Sequence, residues 1–218
     1  MSRHPFFRSL RWPLLVMTIL ALVSMACALG GGPYHEEFDS LGTWGSDDTS
    51  EALGHVTGGV FEFTIKVPDQ LFWSTGGENF GDGTYEVEAT QIAGPADNGY
   101  GMMFRIDNET DSFYLFEISG DGFVLIARCG TACEDYQVLV EESWFTSPAV
   151  NQGTNNTNLL KVEASGSNMT FFVNGQSVGT VTDSTLVAGD IGVFVETFSE
   201  GGVTVHFDNF KFTPPADE

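Results

Sequence analysis

From Phe38 onward the chain reads as segments of alternating apolar and polar residues separated by turns, and no stretch holds a 3.6-residue apolar period for three helical turns. Phe61, Phe63, Ile65 and Val67 alternate with Glu62, Thr64 and Lys66, and Tyr85, Val87 and Ala89 alternate with Thr84, Glu86, Glu88 and Thr90. Tyr100, Met102, Phe104 and Ile106 repeat the period, as do Leu160, Val162 and Ala164. Successive side chains of a strand point to opposite faces, so this period predicts strands with one buried and one wet face. Turn chemistry separates them. Ser119-Gly120-Asp121-Gly122 divides Phe113–Ile118 from Phe123–Ala127, and Asn174-Gly175 divides Met169–Val173 from Val178–Val181; both predict tight hairpins. In the last strand the apolar parity runs through Val203, Val205 and Phe207, then slips to Phe210 and Phe212, which predicts a bulge at Asp208-Asn209. About a dozen strands with turn signals every 8–12 residues predict an all-β, two-sheet antiparallel sandwich.

Charge narrows the partners. Eight Lys+Arg stand against 30 Asp+Glu, for a formal net charge of -22. Nucleic acid is excluded as a partner, because phosphate binding needs a basic surface. A hydrophobic fraction of 42% excludes intrinsic disorder. Three of the cations, Arg3, Arg8 and Arg11, precede an apolar run from Leu14 to Val23 and the small residues Ser24 to Ala28. That run is about 10 residues where a membrane-spanning helix takes roughly 20, so residues 1–27 read as an export signal. Two processing routes stay open. Ala26-Cys27-Ala28 fits an A-x-A site for plain secretion, while Cys27 followed by Gly30-Gly31-Gly32 fits a lipid anchor on a flexible tether, although Ser24 stands where lipoprotein signals usually carry Leu. The lipid is then the only expected membrane contact. Residues 28–36 read as the tether, 37–213 as the sandwich domain and 214–218 as a disordered tail. Cys129 and Cys133 flank a glycine-containing turn, which suits a disulfide in an oxidising compartment; the rival is half a zinc site, with no nearby His.

The second half carries a recognisable order of segments: Asn158 to Ala164, Met169-Thr170-Phe171-Phe172-Val173-Asn174-Gly175-Gln176, Ala188-Gly189-Asp190-Ile191-Gly192-Val193-Phe194, and Val205-His206-Phe207-Asp208-Asn209-Phe210. Asn98 to Arg105 and Ser112 to Ile118 fit the same pattern. This resembles the concanavalin A-like lectin/glucanase superfamily, most nearly the laminin G-like and 3-keto-disaccharide hydrolase-like jelly rolls of exported bacterial proteins. The resemblance implies a jelly-roll β-sandwich. It leaves function open, since the superfamily includes glycan binders, glycosidases and adhesion modules. It also implies a structural Ca²⁺ held by Asp208 with Asp39 from the N-terminal region; the alternative is that Asp208 caps the expected bulge. No other cofactor is called for.

A retaining glycosidase needs two carboxyl groups about 5 Å apart. The E-x-D-x-x-E arrangement of laminarinase-type members is absent, and Glu86 with Glu88 reads as a solvated strand face. No catalytic residue is assigned. Glu117 and Glu196, each set among apolar residues, are the nearest to inward or groove-facing acids. The histidines His35, His55 and His206 show no metal-binding spacing. Sugar binding rests on aromatic rings, for which Trp73, Tyr114, Trp144 and Phe145 are the candidates. The expected function is an exported, lipid-anchored surface module that binds a glycan or another extracellular polymer without catalysis. Two alternatives stand beside it: a glycoside hydrolase of the 3-keto-disaccharide hydrolase-like kind, and a structural or adhesive domain with a protein partner.

Overall fold

The computed structural model describes residues 31–40, 42–131 and 133–216, so the expected export signal and Cys27 lie outside the described residues. Two antiparallel sheets are stacked, and no helix occurs among the described residues. The larger sheet has nine strands. Its order begins with β14 (Gln176–Thr182), β13 (Asn168–Val173), β12 (Thr157–Ser165) and β6 (Gly83–Ala93). It continues through β16 (Val203–Thr213), β4 (Val60–Ile65), β3 (Ala52–Thr57) and β2 (Asp47–Asp48), with β1 (Tyr34–Glu36) also paired to β16. The seven-stranded sheet runs β10 (Asp135–Val138), β9 (Phe123–Gly130), β8 (Ser112–Ser119), β7 (Gly99–Asp107), β15 (Asp190–Thr197) and β5 (Gln70–Thr75), with β11 (Phe145–Thr146) paired to β9.

The sequence signals act where expected. Asn174 (φ 49°) and Gly175 (φ 79°) both take left-handed backbone between β13 and β14, as a type I′ hairpin requires. The register of β16 against β6 shifts between Asp208 and Lys211, with Asn209 at φ 51°. That bulge returns Phe210 and Phe212 to the core. Among the described residues sixteen strands replace the dozen expected, because short pairings add to the long ones. One of them changes a boundary: Tyr34–Glu36, placed in the tether on sequence, pairs with Phe212–Phe210. Trp44 is buried beside Phe38, Phe61 and Phe210, and its indole N–H donates to the Tyr34 hydroxyl at 2.8 Å. The strand β1 is thereby fastened to the core.

The main core lies between the sheets, filled by inward residues such as Tyr85, Val87, Phe104, Phe116, Phe171 and Phe207. A second apolar layer covers the outer side of the seven-stranded sheet. Met103, Phe113, Leu115, Leu125, Ala127 and Phe194 are buried there, with Leu71, Val138 and Trp144 packed over them. β8 is consequently buried at all eight positions, whereas β6 and β12 alternate.

Candidate functional site on the outer face of the smaller sheet

Strand pairing brings two acids together on this outer face. Glu117 of β8 lies opposite Gly101 of β7, and Glu196 of β15 lies opposite Gly99 of the same strand. Gly99 leaves a gap above β7, and the Glu117 side chain fills it: a methyl group on Gly99 would overlap Glu117 Oε1, while one on Gly101 would overlap the Phe116 carbonyl. Glu117 is fully buried, and neither of its carboxyl oxygens receives a hydrogen bond from a donor. Burial pushes the Glu117 carboxyl well above the usual range, and the charge of nearby Glu196 pushes the same way. Burial raises the Glu196 carboxyl as well.

Aromatic rings share this outer face with the pair. Trp73 lies opposite Phe194 on the outer side, stands 6.1 Å from the Phe113 ring and is 44% exposed. Tyr136 lies opposite Cys129 on β10 and is 49% exposed. Its hydroxyl is held above the usual range by burial, then by the charges of Glu117 and Glu196. Trp144 packs on the second apolar layer, edge-on to Phe198 with centroids 6.2 Å apart. Of the residues singled out on sequence, Trp73, Trp144, Glu117 and Glu196 therefore share one face. Tyr114 does not. It sits three residues from Glu117 on an unbroken strand, which places it on the opposite side. Its ring stacks on Phe104 inside the sandwich, and its hydroxyl, pushed up to about 12 chiefly by burial, donates to Asp183 at 2.8 Å. Phe145 pairs with Val124 and packs against the main core. Sequence reasoning missed Tyr136.

Cys129 and Cys133 form a disulfide, with Cα atoms 4.6 Å apart, at the turn into β10. On the larger sheet, the Asp208 carboxyl accepts from the Asn209 N–H at 2.7 Å and caps the bulge. Burial raises the Asp208 carboxyl; its cap to Asn209 opposes this, while Glu88, Glu37 and Asp39 raise it further. Asp39 is thus near Asp208, yet among the described residues no three or more His, Cys, Asp or Glu are grouped to hold a metal ion.

This two-sheet sandwich with its Greek-key strand order has the concanavalin A-like jelly-roll fold. Among similar solved structures is the carbohydrate-binding module CBM66 from Bacillus subtilis, with a TM-score of 0.53 at 20% identity over 80% of this chain and 94% of that one. A β-1,3-1,4-glucanase (lichenase) derived from a mouse hindgut metagenome gives 0.60 at 12% identity over 85% and 100%. The catalytic domain of a Thermotoga petrophila endo-1,3-β-glucanase (laminarinase) gives 0.57 at 10% identity over 84% and 97%. No family model matches the chain, and no curated protein matches it in sequence.

Proposed function

We propose that the protein is an exported glycan-binding module without hydrolytic activity, and that its sugar platform is the outer face of the seven-stranded sheet. One observation carries this reading: among the described residues, two of the three exposed large hydrophobics, Trp73 and Tyr136, are aromatic rings on that one face. A ring offers its face to the C–H side of a sugar, and binding energy concentrates in a few such anchors. Both a carbohydrate-binding module and glucanases share the fold, which makes a glycan the natural ligand class. The acids argue against hydrolysis. A retaining glycosidase needs both carboxyl groups in reach of the sugar, whereas Glu117 is wholly buried.

Affinity electrophoresis in gels containing a β-1,3-1,4-glucan tests the platform. Trp73→Ala and Tyr136→Ala should each weaken retardation by more than about 1 kcal/mol in binding, with no reducing sugar released by the parent protein. Parent-like retardation in both folded variants would move the site elsewhere, and sugar release would replace binding by hydrolysis. Export with a lipid on Cys27 belongs to the same proposal. A Cys27→Ser chain should leave the membrane fraction, and unchanged detergent partitioning removes the anchor.

A further inference from the structure

We infer that the groove between β3 and β5 takes the end unit of a neutral glycan whose chain lies over Trp73, a reading that rests on the proposed platform and states where the bound chain stops. The groove opens where the two sheets part: β5 ends the smaller sheet, and only the two-residue β2 lies beyond β3 in the larger one. Its volume is about 350 Å³, within the roughly 300–1,000 Å³ of a small-molecule site.

Small residues make it. Ala52 and Gly54 pair with the buried, inward Ile65 and Phe63, and cross-strand partners share a face, so both point between the sheets. A methyl group on Gly54 would stand 3.2 Å from the Phe61 ring and 3.6 Å from Phe63, so the missing side chain leaves those rings as the floor. The opposite margin is closed. There Val140 packs against the core, 3.0 Å from where a methyl group on Gly179 of β14 would lie, and Ala149 and Val150 are buried. One margin is thus plugged by the chain itself, and the other is left open over phenylalanine.

Chemistry selects the occupant. Trp73 belongs at once to the groove wall and to the outer face, so a chain lying on its ring can turn into the groove without a break. The Gly76 N–H donates to the Ile191 carbonyl and the Gln70 N–H to the Thr197 hydroxyl. Backbone direction alternates along a strand, so the Trp73 N–H and carbonyl point away from β15, along the free edge. Ser46, Asp47 and Ser74 add side-chain oxygens that accept from hydroxyls. No Lys, Arg or His lines the groove, and Lys66, just past β4, is bound to Asp48 and to the Thr49 carbonyl, so an anionic ligand finds no counter-charge. Aromatic faces beside such polar groups suit a pyranose, apolar on one side with hydroxyls round its rim. Phe61 and Phe63 close the floor, so a chain enters but does not pass through, and its terminal unit is what fits.

Competition calorimetry with a β-1,3-1,4-glucan and with hexasaccharide fragments cut from it, at equal mass, tests this. The platform holds any stretch of chain, while the groove adds affinity for ends. Fragments should therefore compete at least about tenfold better than the polymer, a difference of about 1.4 kcal/mol. Ser46→Trp covers the mouth from an exposed loop and Gly54→Leu fills the floor. Each, shown folded by its unfolding transition, should erase that advantage and keep the gel retardation by the polymer. Equal competition by fragments and polymer, or an advantage that persists in either folded variant, overturns the groove and leaves the platform standing. Variants that lose polymer retardation as well merge groove and platform and overturn the end site. Octanol should not disturb the fragments' advantage; if it removes it, the groove belongs to an apolar ligand. A dimer in sedimentation that Ser46→Trp dissolves puts a second copy there and likewise overturns the sugar. If neither fragments nor polymer bind the parent protein, the platform itself has failed.

Discussion

The outer faces of the two sheets differ in kind. On the larger sheet the outward residues of β6, β12 and β16 are partly exposed and pair across strands: Thr64 with Thr204 at 2.8 Å, Thr90 with Thr157 at 2.8 Å, and His206 with Glu62 at 2.8 Å. On the smaller sheet the same positions carry Met103, Leu115, Phe194 and their neighbours, all buried. The first face is open to solvent and held by short polar contacts, while the second is an apolar layer in its own right. A polar group is cheap on one and costly on the other. Two buried ionisable residues make the cost visible. Arg105 is fully buried and its two terminal nitrogens are satisfied, donating to Asp82 at 2.8 Å and to the carbonyls of Gly166 and Leu186 at 3.1 and 3.0 Å, with Nε alone left without a partner. Glu117 is equally buried and receives no donor, which marks it as a group retained at a cost in stability.

The sharpest way to break this contrast is to truncate matching positions on the two faces. Phe194→Ala should destabilise by about 3–5 kcal/mol, as in a true core, whereas Glu86→Ala should stay within about 0.5 kcal/mol. Denaturant unfolding of both decides it; a loss below about 1 kcal/mol for Phe194→Ala would mean the outer layer is not a core. Glu117→Gln tests the buried acid. The folded chain keeps the proton on Glu117, while the unfolded chain releases it above the ordinary value of 4.5. The unfolded state therefore binds fewer protons, and parental stability falls as pH rises from 4.5 toward the raised folded value. The variant should lack that slope, and near pH 7 it should be the more stable by about 1–3 kcal/mol. Parallel stability–pH curves would refute the assignment. The smallest effect belongs to the disulfide. Its closed loop is short, so reduction should cost less than the roughly 3 kcal/mol of a 15-residue loop, read as a shift in the unfolding midpoint with and without reductant. A larger loss would show that Cys129–Cys133 holds more than the β9–β10 turn.

The alternation of Phe61 to Val67 was legible because one face of β4 is wet, and the slip at Asp208-Asn209 was legible because a core residue must return to its side. β8 gave no such signal. Phe113 to Ile118 is apolar on both sides apart from Glu117, so parity alone had to separate Tyr114 from Glu117. The meeting of Glu117 with Glu196 depends on the registers of β8, β7 and β15, which no local pattern specifies. Gly99 and Gly101, spaced two apart in a strand, were the available hint, since glycine there marks a close approach by another group. Tyr136 stands between Asp135 and Gln137 on a four-residue strand, and its face is set by pairing with Cys129 beyond the disulfide turn.

The place of β16 bears on how the chain is made. The last strand lies between β6 and β4, so β2, β3 and β4 join the rest of the larger sheet only through it, and β1 pairs with it across nearly the whole chain, His35 to Lys211. A chain that emerges amino terminus first cannot complete that sheet until Thr213 is free. Contacts of such long sequence separation form late and slowly. The order of synthesis thus leaves the larger sheet open until the sixteenth strand has emerged. A carboxy-terminal truncation into β16 would remove a seam and not a margin.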